Sequence, residues 1–300
     1  MKKISLILLF SITLFFCQAQ RSEIGALVGT SFYLGDLNSM PFKDAKFAGG
    51  LVYRYNFTPR IALKTNILFG TIAGADADNN GKSRNHSLAK NSDGTYKWDY
   101  AERKLSFSSQ ITEISAQVEL NFFNVYNVGH KNQISPYLFG GAAVFSHNPQ
   151  AICKLDDTTY DLQPIGTEGQ GRENMPKKYA LTGFAIPFGV GFKANIGKYI
   201  CVGAEWGLRF TFTDYLDDIG GLYYNFSSAD DYVQSLADPT YIPKDNNTPV
   251  HTYGSQRYST KKTDWYSFAG VILTVRIGNE DHICDIQTNV NLRNKHGRKR

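Results

Sequence analysis

Cysteine is scarce, and the few present suggest no scaffold. Cys17, Cys153, Cys201 and Cys284 are the four in 300 residues, with no CxxC spacing. That excludes a disulfide framework and a zinc site read from ligand spacing. The six histidines (His86, His130, His147, His251, His282 and His296) fall outside the apolar runs and form no HxxH or HExxH, the spacing a helical zinc-hydrolase site needs. Ser146 and His147 are neighbours, but adjacency in sequence does not make a catalytic dyad. No nucleophile, base and orienting group stand out together, so the expectation is a protein without enzymatic activity or cofactor.

Long apolar runs are also lacking after residue 20. None approaches the ~18 residues of a membrane helix, which leaves a water-soluble chain or a strand-built barrel. Charge of one sign is lacking too: 32 Lys and Arg stand against 27 Asp and Glu. Five of the basic residues lie in the last ten, NLRNKHGRKR, which hold no acid. The basic balance belongs to a tail, and no nucleic-acid partner is expected.

The first twenty residues read as an export signal. Lys2 and Lys3 precede the apolar stretch Ile4–Phe16, and Ala19-Gln20 closes it. Phe16 is too large to precede a lipidated cysteine, so Cys17 belongs to the leader. The expected organisation is a signal over 1–20, a barrel over 21–278 and a basic periplasmic tail over 279–300.

What is abundant is aromatic residues, at 14%, and glycine, at 27 residues. They fall into period-two patterns. In IALKTNILFG, Ile61, Leu63, Ile67 and Phe69 oppose Lys64 and Asn66; in EISAQVELNF, Ile114, Val118, Leu120 and Phe122 oppose Glu113, Gln117 and Glu119. IGALVGTSFYL, FAGGLVYRYNF, FAIPFGVGFKANI, ICVGAEWGLRFTFT and DWYSFAGVILTVRIG alternate in the same way, and ISPYLFGGAAVF, a strand whose two faces do not separate, brings the count to eight. A β-sandwich also alternates, but its polar face carries long charged or β-branched residues. Here one face is small with scattered charges and the other is large and aromatic, which suits a narrow barrel with a lipid-facing skin. The connections alternate as well: 35–46, 74–104, 147–180 and 213–263 are long, whereas 58–60, 124–133 and 197–199 are shorter. The fold class expected is therefore all-β: an eight-stranded antiparallel transmembrane β-barrel with short periplasmic turns and long extracellular loops, surrounded by outer-membrane lipids.

Arg54, Lys64, Glu113, Glu119, Lys193, Glu205, Arg209 and Arg276 all fall on the inward face. Charges trapped in a narrow lumen must pair, so an interior ion-pair network is expected, with a proton or solute path as the alternative. Tyr33, Trp98, Tyr100, Tyr137, Tyr199, Trp265 and Tyr266 read as girdle residues at the membrane interfaces. DADNNG, Asp76 to Gly81, matches half a calcium loop, but Ser87 stands where the bidentate glutamate belongs.

Two strings stand apart. GTSFYLGDLN ends a regular strand at Gly35, Asp36 and Leu37, a turn-like sequence. TDYLDD, Thr213 to Asp218, ends the seventh strand with Asp214, Tyr215, Leu216, Asp217 and Asp218. Adjacency around a closed barrel brings both to one sector of the outer rim, as a structural clasp. Tyr-x-Gly-Asp-Leu and Thr-Asp-Tyr-Leu-Asp-Asp at these places resemble the PorG-like family of outer-membrane barrels from Bacteroidota, whose founding member is a component of the type IX secretion system. The resemblance implies a noncatalytic assembly role, without a small-molecule substrate. It also implies a periplasmic lipoprotein ring as partner, met by the turn at 124–133 and the tail, with Cys284 as a possible contact.

Overall fold

The computed structural model describes residues 22–76, 103–123, 134–197, 199–240, 251, 253–258 and 263–277. The expected leader (1–20), the expected turn at 124–133, the expected tail (279–300) with Cys284, and Trp98 and Tyr100 lie outside them. The described strands are β1 (Ser22–Leu34), β2 (Lys46–Asn56), β3 (Ile61–Ala75), β4 (Ser106–Asn121), β5 (Ile134–Ile152), β6 (Thr159–Asp161), β7 (Thr182–Ile196), β8 (Ile200–Thr211) and β9 (Trp265–Ile277). Two short helices, α1 (Leu162–Ile165) and α2 (Asp231–Ala237), lie in the long connections.

Eight strands form the wall, in the order β4-β3-β2-β1-β9-β8-β7-β5, and β4–β5 pairing closes it. Every pairing is antiparallel. β6 is a three-residue strand on the end of β5, where Gln150 meets Asp161. The register can be followed once round the wall. It runs Pro136–Phe192–Ala204–Val271–Val28–Gly49–Phe69–Thr112–Ser146 and returns to β5 10 residues further on. Eight strands with that stagger tilt by about 40° and give a backbone radius of about 8 Å. A lumen that narrow is filled by side chains.

Alternation decides which side chains fill it. Every odd residue of β4 from Phe107 to Asn121 is buried. The opposite face is a belt of bare apolar groups: Phe47 is 75% exposed, Phe184 70%, Phe192 59% and Val271 54%. Water does not tolerate such a continuous surface, whereas hydrocarbon does. On β4 and β5 the outward face turns polar near the loop end, at Ser108, Gln110, Ser146 and Asn148. These two strands therefore rise above the belt.

The interior has two storeys. Toward the short-turn end it is charged. Toward the loop end it is apolar: Leu68, Ile72, Phe145 and Phe268 pack with Leu37, Leu105, Leu216 and Ile219 from the connections. The long connections are thus built into the fold as a cap. β5 runs to Ile152, so the connection expected from 147 starts later and carries β6 and α1. Phe32 faces outward yet is fully buried, because Phe42 of the first connection lies 4.7 Å from it, ring to ring, and 5.6 Å from Trp206.

The girdle reading needs correcting at three residues. Tyr33, Tyr137 and Tyr266 are at most 1% exposed and point into the lumen. They share the inward parity of their strands, and each hydroxyl finds a carboxylate there; Tyr199 and Trp265 remain on the outside. Glycine makes the room for such rings. A Cβ on Gly191 would stand 2.3 Å from Cζ of Tyr137, and one on Gly207 2.6 Å from Cζ of Phe139. Gly191→Val should therefore weaken the barrel by about 1–3 kcal/mol or more. Urea unfolding in detergent measures it, and an unchanged midpoint would contradict this packing.

Candidate functional site

The charged storey is a lattice with Glu119 at its centre. Its carboxylate on β4 is ion-paired with Arg54 Nε at 2.9 Å, Lys193 Nζ at 2.9 Å and Lys64 Nζ at 3.5 Å, from three other strands. Lys64 also pairs with Glu205, which accepts the Tyr137 hydroxyl at 2.8 Å. Arg209 Nε meets Glu113 at 2.9 Å, and Tyr266 donates to the same carboxylate at 2.9 Å. At the short-turn end Arg54 reaches Glu23 at 2.6 Å, and Arg276 lies 3.5 Å from it. Arg54, Lys64, Lys193 and Arg209 thus meet four carboxylates, Glu23, Glu113, Glu119 and Glu205, each at most 6% exposed. The described lumen is closed by matched charge, with Lys64 4.3 Å over the Phe139 ring.

Glu23 is absent from the inward set read from sequence. That reading began β1 at Ile24, and one further step of the same alternation reaches Glu23. All eight charges of the set lie on the interior face, although Arg276 is partly open at the turn end, with its side chain 19% exposed.

The second constellation caps the loop end. The Tyr33 hydroxyl lies 2.6 Å from both Asp217 Oδ2 and Asp264 Oδ1, and accepts the Asp36 N–H at 2.8 Å. A tyrosine has one hydrogen to donate. Two such contacts need a second hydrogen, so one of the two carboxyls carries a proton. Burial pushes Asp217 and Asp264 well above the usual carboxylate range; the Asp36 charge adds to it at Asp217, and the charges of Asp217, Asp214 and Asp36 add to it at Asp264. Asp214 is raised to about 7 by burial and then by Asp36 and Glu168. Leu216 N–H donates to Asp264 and Ile219 N–H to Asp217, each at 3.0 Å. The strings around Gly35 and Asp214 therefore do lie together, and Leu37 and Leu216 are buried beneath. Asp264 completes the group; it lies just before β9, outside both strings.

Asp218 turns the other way. It accepts from Tyr179 at 2.7 Å and from Thr167, beside the buried Arg257. Burial raises it, Arg257 and the two hydroxyls pull it back, and it rests at about 6. Arg257 also meets Glu168 at 3.3 Å, and Glu168 accepts the Gly220 and Gly221 N–H groups at 3.1 and 3.0 Å. Tyr215 stacks on Tyr179 at 4.7 Å. Sequence spacing gave no signal for Arg257 or Glu168, which lie 89 residues apart.

The remaining candidates resolve simply. Ser146 faces outward while His147 is buried with Nε2 3.2 Å from the Tyr215 carbonyl, because neighbours on a strand point to opposite faces. Asp76, the first position of the calcium half-motif, is held by Arg103 at 2.9 and 2.5 Å; the rest of that motif lies outside the described residues. Cys153 and Cys201 are buried free thiols, one beyond the loop end of β5 and one at the turn end of β8. Among the described residues no group of three or more His, Cys, Asp or Glu side chains is placed to hold a metal.

Residues 2–229 match the family model described as a domain of unknown function, DUF6089. The chain belongs to the DUF6089 family. Solved structures with a weak likeness to it include three bacterial proteins. Ail of Yersinia pestis is 10% identical, with a TM-score of 0.36 over 85% of this chain and 96% of Ail. Neisserial surface protein A is 7% identical, with a TM-score of 0.39 over 85% and 97%. The N-terminal barrel domain of Pseudomonas aeruginosa OprF is 12% identical, with a TM-score of 0.35 over 86% and 98%. No curated protein matches the chain. For this DUF6089 member the closed register and the belt carry the fold.

Two outcomes follow. Glu119→Gln leaves three buried cations around a neutral amide and should cost about 3–5 kcal/mol in urea unfolding. Tyr137→Phe, which removes one hydrogen bond, should cost about 0.5–1.5. Equal costs would contradict the central place of Glu119. In the cap Asp214 and Asp218 sit above their unfolded values, so their stabilising contribution is full below about pH 4. It is lost as pH rises through 6 for Asp218 and 7 for Asp214. Hydrogen-exchange protection of the Leu216 and Ile219 amides, corrected for intrinsic rate, should fall between about pH 5 and 8. Flat protection would contradict this.

Proposed function

We propose that the protein is a noncatalytic barrel of the outer membrane that works as a structural or assembly component rather than as a pore. The observation that carries this reading is the lumen: charges matched strand to strand below, and an apolar plug continuous with the cap above. A path for apolar solutes needs an interior free of charge, and a path for polar ones needs an open channel; the buried ion pairs oppose the first and the packed rings of the upper storey oppose the second. What remains for function is the two ends and the lipid-facing wall.

In this reading the long connections face the cell exterior and the short turns the periplasm. The finer assignment is to type IX protein secretion, with the barrel anchoring a periplasmic lipoprotein ring through the 124–133 turn and the 279–300 tail. It is supported by the Gly35–Leu37 and Asp214–Asp218 strings of the PorG-like resemblance, which meet at the rim. Cys284 belongs to the same proposed contact. A second reading, a surface adhesin acting through its loops, is favoured by the built-in order of the cap, where Arg257–Glu168, Arg103–Asp76 and His251–Asp238 are all buried pairs.

Affinity purification of the tagged full chain from the membranes of its own host separates the two. The assembly reading expects an outer-membrane lipoprotein to copurify, and expects its loss on truncation after residue 278. Recovery of no secretion component, or recovery indifferent to the tail, would overturn it.

A further inference from the structure

At the loop end of β4 and β5 the cap leaves a recess that both of its constellations border, through Asp217 and Arg257, and that neither fills. Lys104, Lys154 and Arg257 line it beside Leu105, Ile152 and Leu236. The two lysines come from different connections and lie close enough to repel: burial lowers the Lys154 ammonium, Lys104 lowers it further, and Asp238 opposes. Among the described residues neither lysine has a carboxylate at ion-pair distance. Lys104 is also held at φ 53°, a left-handed backbone that a lysine seldom adopts.

A third feature is independent of these surface charges. Arg257 is 1% exposed, and its Nη1 is spent on Thr167, Glu168 and the Asp218 carbonyl. Its Nε is buried with no hydrogen-bond partner among the described residues. The Tyr223 hydroxyl and Ser255 Oγ are in the same condition. These three share a face of one short ribbon, in which Leu222 bridges Gln256, Tyr223 N–H bonds Ser255 and Arg257 N–H bonds Gly221. Buried polar groups without partners are costly and rare, and of these three residues Arg257 is the one that lines the recess. The carboxyl lining the recess is Asp217, and Arg257 is already matched by Glu168 and Asp218, so Lys104 and Lys154 are the two cations left facing it.

We propose that this recess binds an oxyanion of the phosphate-ester type, with the charge between Lys104 and Lys154 at the Arg257 edge and an apolar substituent against Leu105, Ile152 and Leu236. An arginine fork edge and two ammonium groups suit that geometry, and the leucine wall gives the apolar part somewhere to go. The source is either a lipid headgroup reached from the membrane or a free phosphate from outside. The proposal does not depend on the secretion reading.

The test uses the full chain folded in detergent and titrated calorimetrically with inorganic phosphate and, separately, with a short-chain phosphatidic acid. Both should bind saturably. The double variant Lys104→Gln/Lys154→Gln should weaken both by about tenfold or more, while still running as a folded barrel on unheated gels. If the double variant fails that gel check, Lys154→Gln alone is titrated instead and should weaken binding in the same direction. Tighter binding of the phosphatidic acid supports a lipid source, and equal binding supports a free anion. Saturable binding of neither probe, or undiminished binding by the folded variant, overturns the site.

Discussion

The carboxylate of Glu119 is buried in a lumen about 8 Å in radius, where hydration cannot offset its charge. Its stabilisation has to come from other side chains, and three strands supply them: Arg54 from β2, Lys64 from β3 and Lys193 from β7. Each of those cations is equally unable to stand alone. Arg54 is therefore shared with Glu23 and Lys64 with Glu205, and the lattice spreads until charge is matched. The eight-stranded count and the stagger of 10 residues fix the width that makes this pairing obligatory.

The same constraint separates the storeys. Charge matching fills the turn end, and further up the lumen is occupied by aliphatic and aromatic side chains from the wall and the connections. A plug made partly from loops ties the loops to the wall. That explains why 213–221 is ordered around two acids and Tyr33. Glycines opposite Tyr137 and Phe139 are part of the same width problem: a lumen this narrow admits large rings where the facing strand has no side chain.

The barrel was legible from period-two alternation because lipid on one side and a packed lumen on the other impose opposite demands on neighbouring residues. β4 shows it along its whole length. The inward charges followed from the same parity. Position at a strand end does not separate an interfacial tyrosine from an interior one; Tyr33, Tyr137 and Tyr266 share the inward parity of their strands, and that parity, not their position, places them in the lumen. The cap was illegible for a different reason. Arg257, Glu168 and Asp264 meet through chain closure over long separations, and no local spacing records that. Family membership names the fold's kin without a role, and the role proposed rests on the closed lumen and the two rim strings.

The most direct measurement of the central claim is the electrical conductance of the purified, folded chain in a planar bilayer. A lumen closed by matched charge and an apolar plug predicts no stable unitary conductance, and predicts the same for Glu205→Gln, which leaves the plug in place. A steady, salt-dependent unitary conductance from the unmodified protein would contradict it.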